Sequence, residues 1–280
     1  MGTLYVVATP IGNLDDITLR ALHLLRVAPL IACEDTRTTR RLLERHGITG
    51  RLISFTDHNK RVRIPTLLTH LETADLALVS EAGTPAISDP GEDLVTAAIA
   101  AGHRVVPSPG ASAVLAALVV SGLPARRFLY LGFLPRTATE RRRLFASLRS
   151  LPYTLVAYES PHRVQAALAD AAATLGDRRV AVCRELTKLH EEIWRGPLTD
   201  APAQFGRPRG EFTLVIDGAG ATAVEPAPAH DAALAEVEAA VRAGVSARDA
   251  VAAAARRHGA PRRQVYEAWL ARCRAAGDAG

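Results

Sequence analysis

Short apolar runs alternate with segments of helical spacing, and this alternation constrains the fold more than any other feature of the chain. Leu4–Ala8, Leu30–Cys33, Arg51–Phe55, Ala77–Val79 and Arg104–Val106 read as strands. Between them, Asp16–Leu25 places apolar residues at Ile17, Leu19, Leu22 and Leu25, the spacing of one helix face. Thr38–His46, Ile64–Glu72 and Glu92–Ala101 also read as helices, and Pro107-Ser-Pro-Gly110 opens a further one over Ala111–Ser121. Strands separated by helices predict a mostly parallel α/β sheet.

A second half begins near Gly122–Arg127. Strands are expected at Phe128–Phe133, Thr154–Tyr158, Val180–Cys183, Glu192–Trp194 and Glu211–Ile216, with helices at Thr139–Leu148 and Pro161–Leu175. The last strands follow each other without helices, which predicts a mixed sheet. After Gly218 the composition turns to Ala, Pro and Glu, and Ala223–His230 reads as a linker. Asp231–Ala243, Ala247–His258 and Arg262–Arg274 then read as three helices, broken at Gly244 and Gly259, with start signals at Ser246 and Pro261. They fit a helix-turn-helix-like unit or a bundle that caps the core. Arg256, Arg257, Arg262 and Arg263 suit either phosphate or a solvated face. The expected domains are 1–122, 123–222 and 223–280.

Composition narrows the class. With 48% hydrophobic and 22% charged residues among 280, the chain is not disordered over most of its length. Its longest wholly apolar or small stretch, near Ala111–Val120, falls well short of the roughly 20 residues of a spanning helix. No basic segment leads into an apolar one at the N-terminus, so no signal peptide is expected. Cys33, Cys183 and Cys273 form no CxxC pair, so a cytosolic chain without a zinc site or disulfide framework is expected. No metal is expected elsewhere either. The net charge of +5 permits a polyanionic partner.

The polar and Gly/Pro content gathers in loops that follow strands, where open α/β sheets bind ligands. Neither GxxxxGK[ST] nor GxGxxG is present. The loops do carry a distinctive ordered set: Val7-Ala-Thr-Pro-Ile-Gly-Asn-Leu14, Cys33-Glu-Asp-Thr-Arg37, Ser80-Glu-Ala-Gly-Thr-Pro-Ala-Ile-Ser-Asp-Pro-Gly91, Pro109-Gly-Ala-Ser-Ala113, Gly132-Phe-Leu-Pro-Arg136, Tyr158-Glu-Ser-Pro-His-Arg163, Cys183-Arg-Glu-Leu-Thr-Lys188 and Gly210-Glu-Phe-Thr-Leu-Val215. By these segments the chain resembles the tetrapyrrole methylase superfamily and, within it, the ribosomal RNA small-subunit methyltransferase I family. Glu81 departs from the family, which more often has Asp there.

The resemblance implies a two-domain tetrapyrrole-methylase-like α/β fold with a small C-terminal helical appendage, a homodimer, and S-adenosylmethionine as cofactor. It implies methylation of the ribose 2′-oxygen of a cytidine in 16S rRNA of the small ribosomal subunit, with no membrane involved. By motif position, the cofactor role falls on Pro10, Ala82, Gly83, Thr84, Ile87, Ser112, Ala113, Glu159, Glu211 and Thr213.

A ribose hydroxyl is a poor nucleophile, so positioning and a general base are needed. Glu34, Asp35, Glu185, Lys188 and His58 are the candidate bases. Glu34 and Asp35 equally suit the start of the following helix, and His58 equally suits a bare surface loop. Only Lys60 and Lys188 are lysines among 34 basic residues, and only Asn13 and Asn59 are asparagines. All four lie in motif loops. Lys188 is expected to contact the target phosphate or to help deprotonate the 2′-hydroxyl, which Arg cannot do. Arg37, Arg136, Arg163, Arg184, His58 and Asn59 are expected to meet RNA, although Arg163 also fits a helix-start cation. The Arg-rich stretch Arg136–Arg149 points to a polyanion. Competing readings are a tetrapyrrole or corrin precursor methylase, a diphthine-type protein methylase, and a non-enzymatic nucleic-acid-binding protein using the C-terminal helices.

Overall fold

The first five strands, β1 (Thr3–Val7), β2 (Leu30–Cys33), β3 (Leu52–Ser54), β4 (Leu76–Val79) and β5 (Arg104–Ser108), are all parallel and pair in the order β3-β2-β4-β1-β5. This is a computed structural model, and it describes residues 1–205, 208–220, 228–258, 262, 265, 266 and 268–270, with backbone alone for 228–232. The crossovers are α1 (Leu19–Val27), α2 (Thr36–Arg45), α3 (Lys60–Thr73) and α4 (Glu92–Ala100), and α5 (Ala113–Ser121) leaves the sheet after β5.

β2 and β4 are buried at every residue, as central strands covered on both faces must be. Alternate side chains serve opposite faces. Ile31, Cys33, Ala77 and Val79 pack with Leu24 and Leu25 of α1 and Leu43 of α2. Leu30, Ala32, Leu76 and Leu78 pack with Leu67 and Leu71 of α3 and Leu94 of α4. Each fully buried leucine contributes about 1.5–3 kcal/mol by leaving water.

The second sheet contains β6 (Phe128–Phe133), β7 (Thr154–Glu159), β8 (Arg179–Arg184), β9 (Glu192–Pro197) and β10 (Phe212–Ile216), ordered β6-β7-β10-β8-β9. β6 and β7 are parallel, whereas β10 runs antiparallel to β7 and β8, and β9 antiparallel to β8, so the sheet is mixed as expected. The strand last in sequence lies at its centre. Helices α6 (Ala138–Ser147) and α7 (Val164–Leu175) cover one face, and the short α8 (Ala201–Gln204) joins them. The other face receives α5, whose Val114, Ala117 and Leu118 pack on Val156, Ala181 and Val215. The helix that ends the first sheet thus seats the second.

Four helix starts differ from expectation by three residues or more: α7 begins at Val164 and not Pro161, the helix Pro228–Arg242 begins inside the stretch read as a linker and not at Asp231, and α1 and α3 are displaced too. α1 begins at Leu19, not Asp16, because Leu14–Asp16 forms a 3-10 turn and Thr18 caps the helix, accepting from Ala21 N–H. α3 begins at Lys60, not Ile64, and carries Pro65 inside it. The turn before it is held by Asn59, whose side chain accepts from Thr56 N–H and donates to Ser54 O.

The chain divides into two compact units, Met1–Gly218 and Ala219–Gly280. In the second, α9 (Pro228–Arg242) and α10 (Ala247–Arg257) share an apolar core that includes Val237, Val251, Ala254 and Val265. Ser246 caps α10, as expected. Most of the linker, Gly259, Pro261, Arg263, Cys273 and the end of the third helix lie outside the described residues. No helix among the described residues is long and apolar enough to cross a membrane.

Candidate active site

Strands β4, β1 and β5 are parallel neighbours, so the loops that follow them meet at one edge of the first sheet. Thr9 and Gly83 exchange backbone hydrogen bonds of 2.8 and 3.0 Å and tie two of these loops together. In the second sheet, the ends of β6, β7 and β8 share an edge with the start of β10, where Phe212 pairs with both Glu159 and Arg184. A register shift between Tyr130 and Phe133 ends β6 irregularly beside that edge.

The two edges enclose a cleft of about 270 Å³. Nine of the ten residues expected to hold the cofactor line it: Ala82, Gly83, Thr84, Ile87, Ser112, Ala113, Glu159, Glu211 and Thr213. Pro10, the tenth, does not. It lies between β1 and Ile11 and lines a neighbouring cavity of about 220 Å³. The two cavities share Ile11, Ala82 and Glu211.

Glu159 is 2% exposed. Its Oε1 accepts from Ser160 N–H and pairs with Arg163, both at 2.7 Å, while Oε2 is buried without a partner among the described residues. Burial raises its pKa, against the hydrogen bond from Ser160 and the charge of Arg163. Arg163 also donates to Leu134 O and Ser160 Oγ, so its partly buried guanidinium is engaged by protein acceptors. That is the helix-start reading of Arg163.

Asp89 also lines the cleft, and sequence reasoning did not single it out. Its pKa is pushed up to about 6, first by burial and then by the charges of Glu34, Glu81 and Glu211, against a hydrogen bond with Ser80. Its signal was available as the one aspartate in the Ser80–Gly91 loop. Phe133 and Tyr158 were missed as well. They meet edge to face at 5.5 Å, and burial raises the Tyr158 pKa. Burial pushes Cys183, another wall residue, up to about 12, so its thiol stays protonated.

Lys188 lines the second cavity with Thr38, Thr39, Ser80 and Glu81. Its Nζ donates to Glu185 at 2.8 Å and Glu211 at 3.0 Å. Burial lowers its pKa, but the two carboxylates outweigh this and hold it above the usual lysine value. Burial likewise raises Glu185, and bonds from Lys188 and Glu211 N–H bring it below the ordinary range. Glu185 and Thr187 both have positive φ, at 50° and 65°. Thr187 Oγ1 accepts from Asn13 N–H at 3.0 Å, joining the loop after β8 to the loop after β1. On Gly210 (φ +83°), a Cβ would stand 2.4 Å from the Glu185 carboxyl carbon.

The remaining expected residues are spread over the surface. Asp35 caps α2 and pairs with Arg37, whose hydrogen bonds hold its carboxyl below the usual range. Glu34 is half-buried. Burial raises its pKa, against the Glu81 N–H, and the charges of Glu81, Asp57 and Asp35 add to the rise. His58 and Arg136 are exposed, and Asn59 is engaged in its turn. Arg184 donates to Arg209 O and pairs with Glu192. The Arg-rich stretch is not a uniform basic face. Arg141 is 4% exposed and donates to Asp170 at 2.8 Å, and Arg142 shares the same carboxylate. Arg257 pairs with Glu236. No metal-binding cluster occurs among the described residues.

Residues 3–202 match the family model of the Tetrapyrrole (Corrin/Porphyrin) Methylases. The chain is 44% identical over 271 residues to the ribosomal RNA small subunit methyltransferase I of Halalkalibacterium halodurans, covering 95% of this chain and 93% of that protein. It is 50% identical to the Synechocystis protein of the same name over 223 residues, 78% of this chain and 80% of the relative. Among solved structures, a diphthine synthase superposes with a TM-score of 0.63 at 17% identity, covering 77% of this chain and 90% of that one. A uroporphyrin-III C-methyl transferase from Thermus thermophilus, complexed with S-adenyl homocysteine, superposes with a TM-score of 0.54 at 20% identity, covering 77% and 97%. These two likenesses concern the fold. The ordered motif loops, the paired sheets with a cleft between them, and relatives this similar over most of their length place the chain in the tetrapyrrole methylase family, in its ribosomal RNA small subunit methyltransferase I branch.

Proposed function

We propose that this protein transfers a methyl group from S-adenosylmethionine to the ribose 2′-oxygen of a cytidine in 16S rRNA. The observation that carries the reading is the cleft into which nine motif residues from four separate segments converge. The cleft suits the cofactor. Its floor is small side chains at Ala82, Gly83, Ser112 and Ala113, which let a ligand lie against backbone, and the spare Oε2 of Glu159 calls for a donor from a ligand. When bound, S-adenosylmethionine supplies an electrophilic methyl on a positively charged sulfur.

The second cavity, one wall away, is the place for the target nucleoside, and Ile11, Ala82 and Glu211 mark where the two compartments meet. Lys188 stays protonated between Glu185 and Glu211, so it meets a phosphate rather than taking the hydroxyl proton. Of the candidate bases, Glu34 stands beside the second cavity, where it accepts from the N–H of the wall residue Glu81 and has a raised pKa, while Asp35 is spent on capping and Arg37. Arg37 and Arg136, both exposed, supply cations for RNA phosphates. We read the domains as 1–122, 123–222 and 223–280, and the working form as a cytoplasmic homodimer acting on the small ribosomal subunit.

A tetrapyrrole substrate fits less well. The relatives that match over most of this chain are named for ribosomal RNA, and among the described residues the second cavity offers a ring of several acidic side groups one cation, Lys188. The deciding experiment supplies labelled S-adenosylmethionine and small subunits lacking the modification, then maps the label. Label on one cytidine ribose is expected. Cofactor binding without RNA label would overturn the substrate assignment.

A further inference from the structure

In a chain with 34 basic residues and net charge +5, no Lys or Arg among the described residues lines the main cleft. Its charged wall residues are all acidic: Asp89, Glu159 and Glu211. Among them, Glu159 is buried, with one oxygen unpartnered. The rings of Phe133 and Tyr158 add π-faces, which attract a cation more strongly than a neutral group of the same shape.

This charge pattern matters because the cofactor changes charge in the reaction. Losing its methyl converts a sulfonium, with charge +1, into a neutral thioether, while the amino-acid and adenosine ends stay the same. A wall of carboxylates and rings therefore favours the donor over the spent product, and the difference isolates the sulfur. We propose that Asp89 is the specificity-determining residue by which the cleft prefers the cationic methyl donor to its neutral product. The inference rests on the cofactor assignment made above.

Asp89 is placed for this role. It ends the loop that contributes Ala82, Gly83 and Thr84 to the floor, and it is the one wall carboxylate with neither a salt bridge nor complete burial. Glu159 is neutralised by Arg163, and Glu211 by Lys188. The titratable groups that face Asp89 are Glu34, Glu81, Glu211, Tyr130 and Tyr158, none of them a cation. Those neighbours and burial hold its proton to about pH 6, so its charge is present at neutral pH and withdrawn on mild acidification.

The test is calorimetric binding of S-adenosylmethionine and of S-adenosylhomocysteine to the full chain, between about pH 5 and pH 7.5, for wild type and Asp89→Asn. The expected wild-type preference for the donor falls about tenfold on acidification, the scale of one unit charge at close range. Asp89→Asn is expected to show the low preference at every pH while still binding the product. A variant that keeps the wild-type preference and its pH dependence overturns the proposal. If the variant does not fold, a wild-type preference that is flat across the pH range overturns it equally. Failure of wild type to bind either ligand strikes the cofactor assignment instead, and with it this inference.

Discussion

Gly12 and Lys188 are fitted to one another: a Cβ on Gly12 would stand 2.5 Å from Cγ of Lys188 and 2.8 Å from the carbonyl oxygen of Leu186. The loop after β1 and the loop after β8 belong to different sheets, and their contact closes one end of the second cavity. Gly12→Ala is therefore expected to cost about 1–3 kcal/mol, as overpacking does. It should also weaken activity by moving Lys188. A urea unfolding midpoint unchanged from wild type would contradict this.

The role proposed for Lys188, held protonated between Glu185 and Glu211, is that of a fixed positive charge. Lys188→Arg should retain single-turnover methylation within a few-fold, and Lys188→Met should lose roughly tenfold or more, because Glu185 and Glu211 are left without their cation. If Lys188→Arg were as inactive as Lys188→Met, a proton-transfer role would be restored to the amine.

Glu34→Gln tests the base. Removing a general base typically lowers a rate by about 10²–10⁴-fold. The acid limb of the single-turnover pH profile should vanish in the variant, while cofactor affinity stays close to wild type. An unchanged profile would return the role to another carboxylate.

Arg141 and Asp170 are 4% and 5% exposed along their side chains, and Arg141 also donates to the carbonyls of Pro135 and Arg136. Arg141→Ala strands a buried carboxylate that Arg142 alone must then serve, at an expected cost of about 3–5 kcal/mol. Pairing Arg141→Met with Asp170→Leu should recover most of it. Chemical unfolding of the three variants gives the comparison.

Asp89 carries a pH-dependent stability of definite sign. Its folded pKa, about 6, lies above the ordinary 3.8, so protonation favours the folded state. That contribution is complete below the unfolded pKa and is lost as pH rises through the folded value. Asp89→Asn should therefore stabilise the cofactor-free protein near neutral pH by about 1 kcal/mol, a figure kept well under the ~1.4 kcal/mol per unit because the side chain is partly solvated. Near pH 4 the variant and wild type should melt together.

Much of this was legible in the sequence. The buried strands declared themselves through unbroken apolar runs, and nine of the positions expected to hold the cofactor line one cleft. What escaped was pairing at a distance. Nothing within Ala138–Ser147 says that Arg141 turns inward, because its partner lies 29 residues on, in α7. The helix α3 starts at Lys60 and not Ile64 because the turn before it is set by Asn59 reaching back to Ser54, a contact that apolar spacing does not show. Pro10 was assigned to the cleft with its loop, but Ile11 is the residue that faces both compartments. Asp89 was passed over because its importance comes from Glu34, Glu81 and Glu211, which only the folded chain assembles around it.

β10 is the last strand of the second sheet to be written in the sequence and the one that sits between β7 and β8. During synthesis, then, β7 and β8 emerge without the strand that joins them, and their facing edges stay open until residues 212–216 have left the ribosome. The cleft shares this schedule, since Phe212 and Thr213 are part of its wall. A chain released before that point holds every loop of the first sheet and still has no finished pocket. It also carries two adjacent unpaired edges, which makes it a target for chaperones and proteases rather than a partly working enzyme.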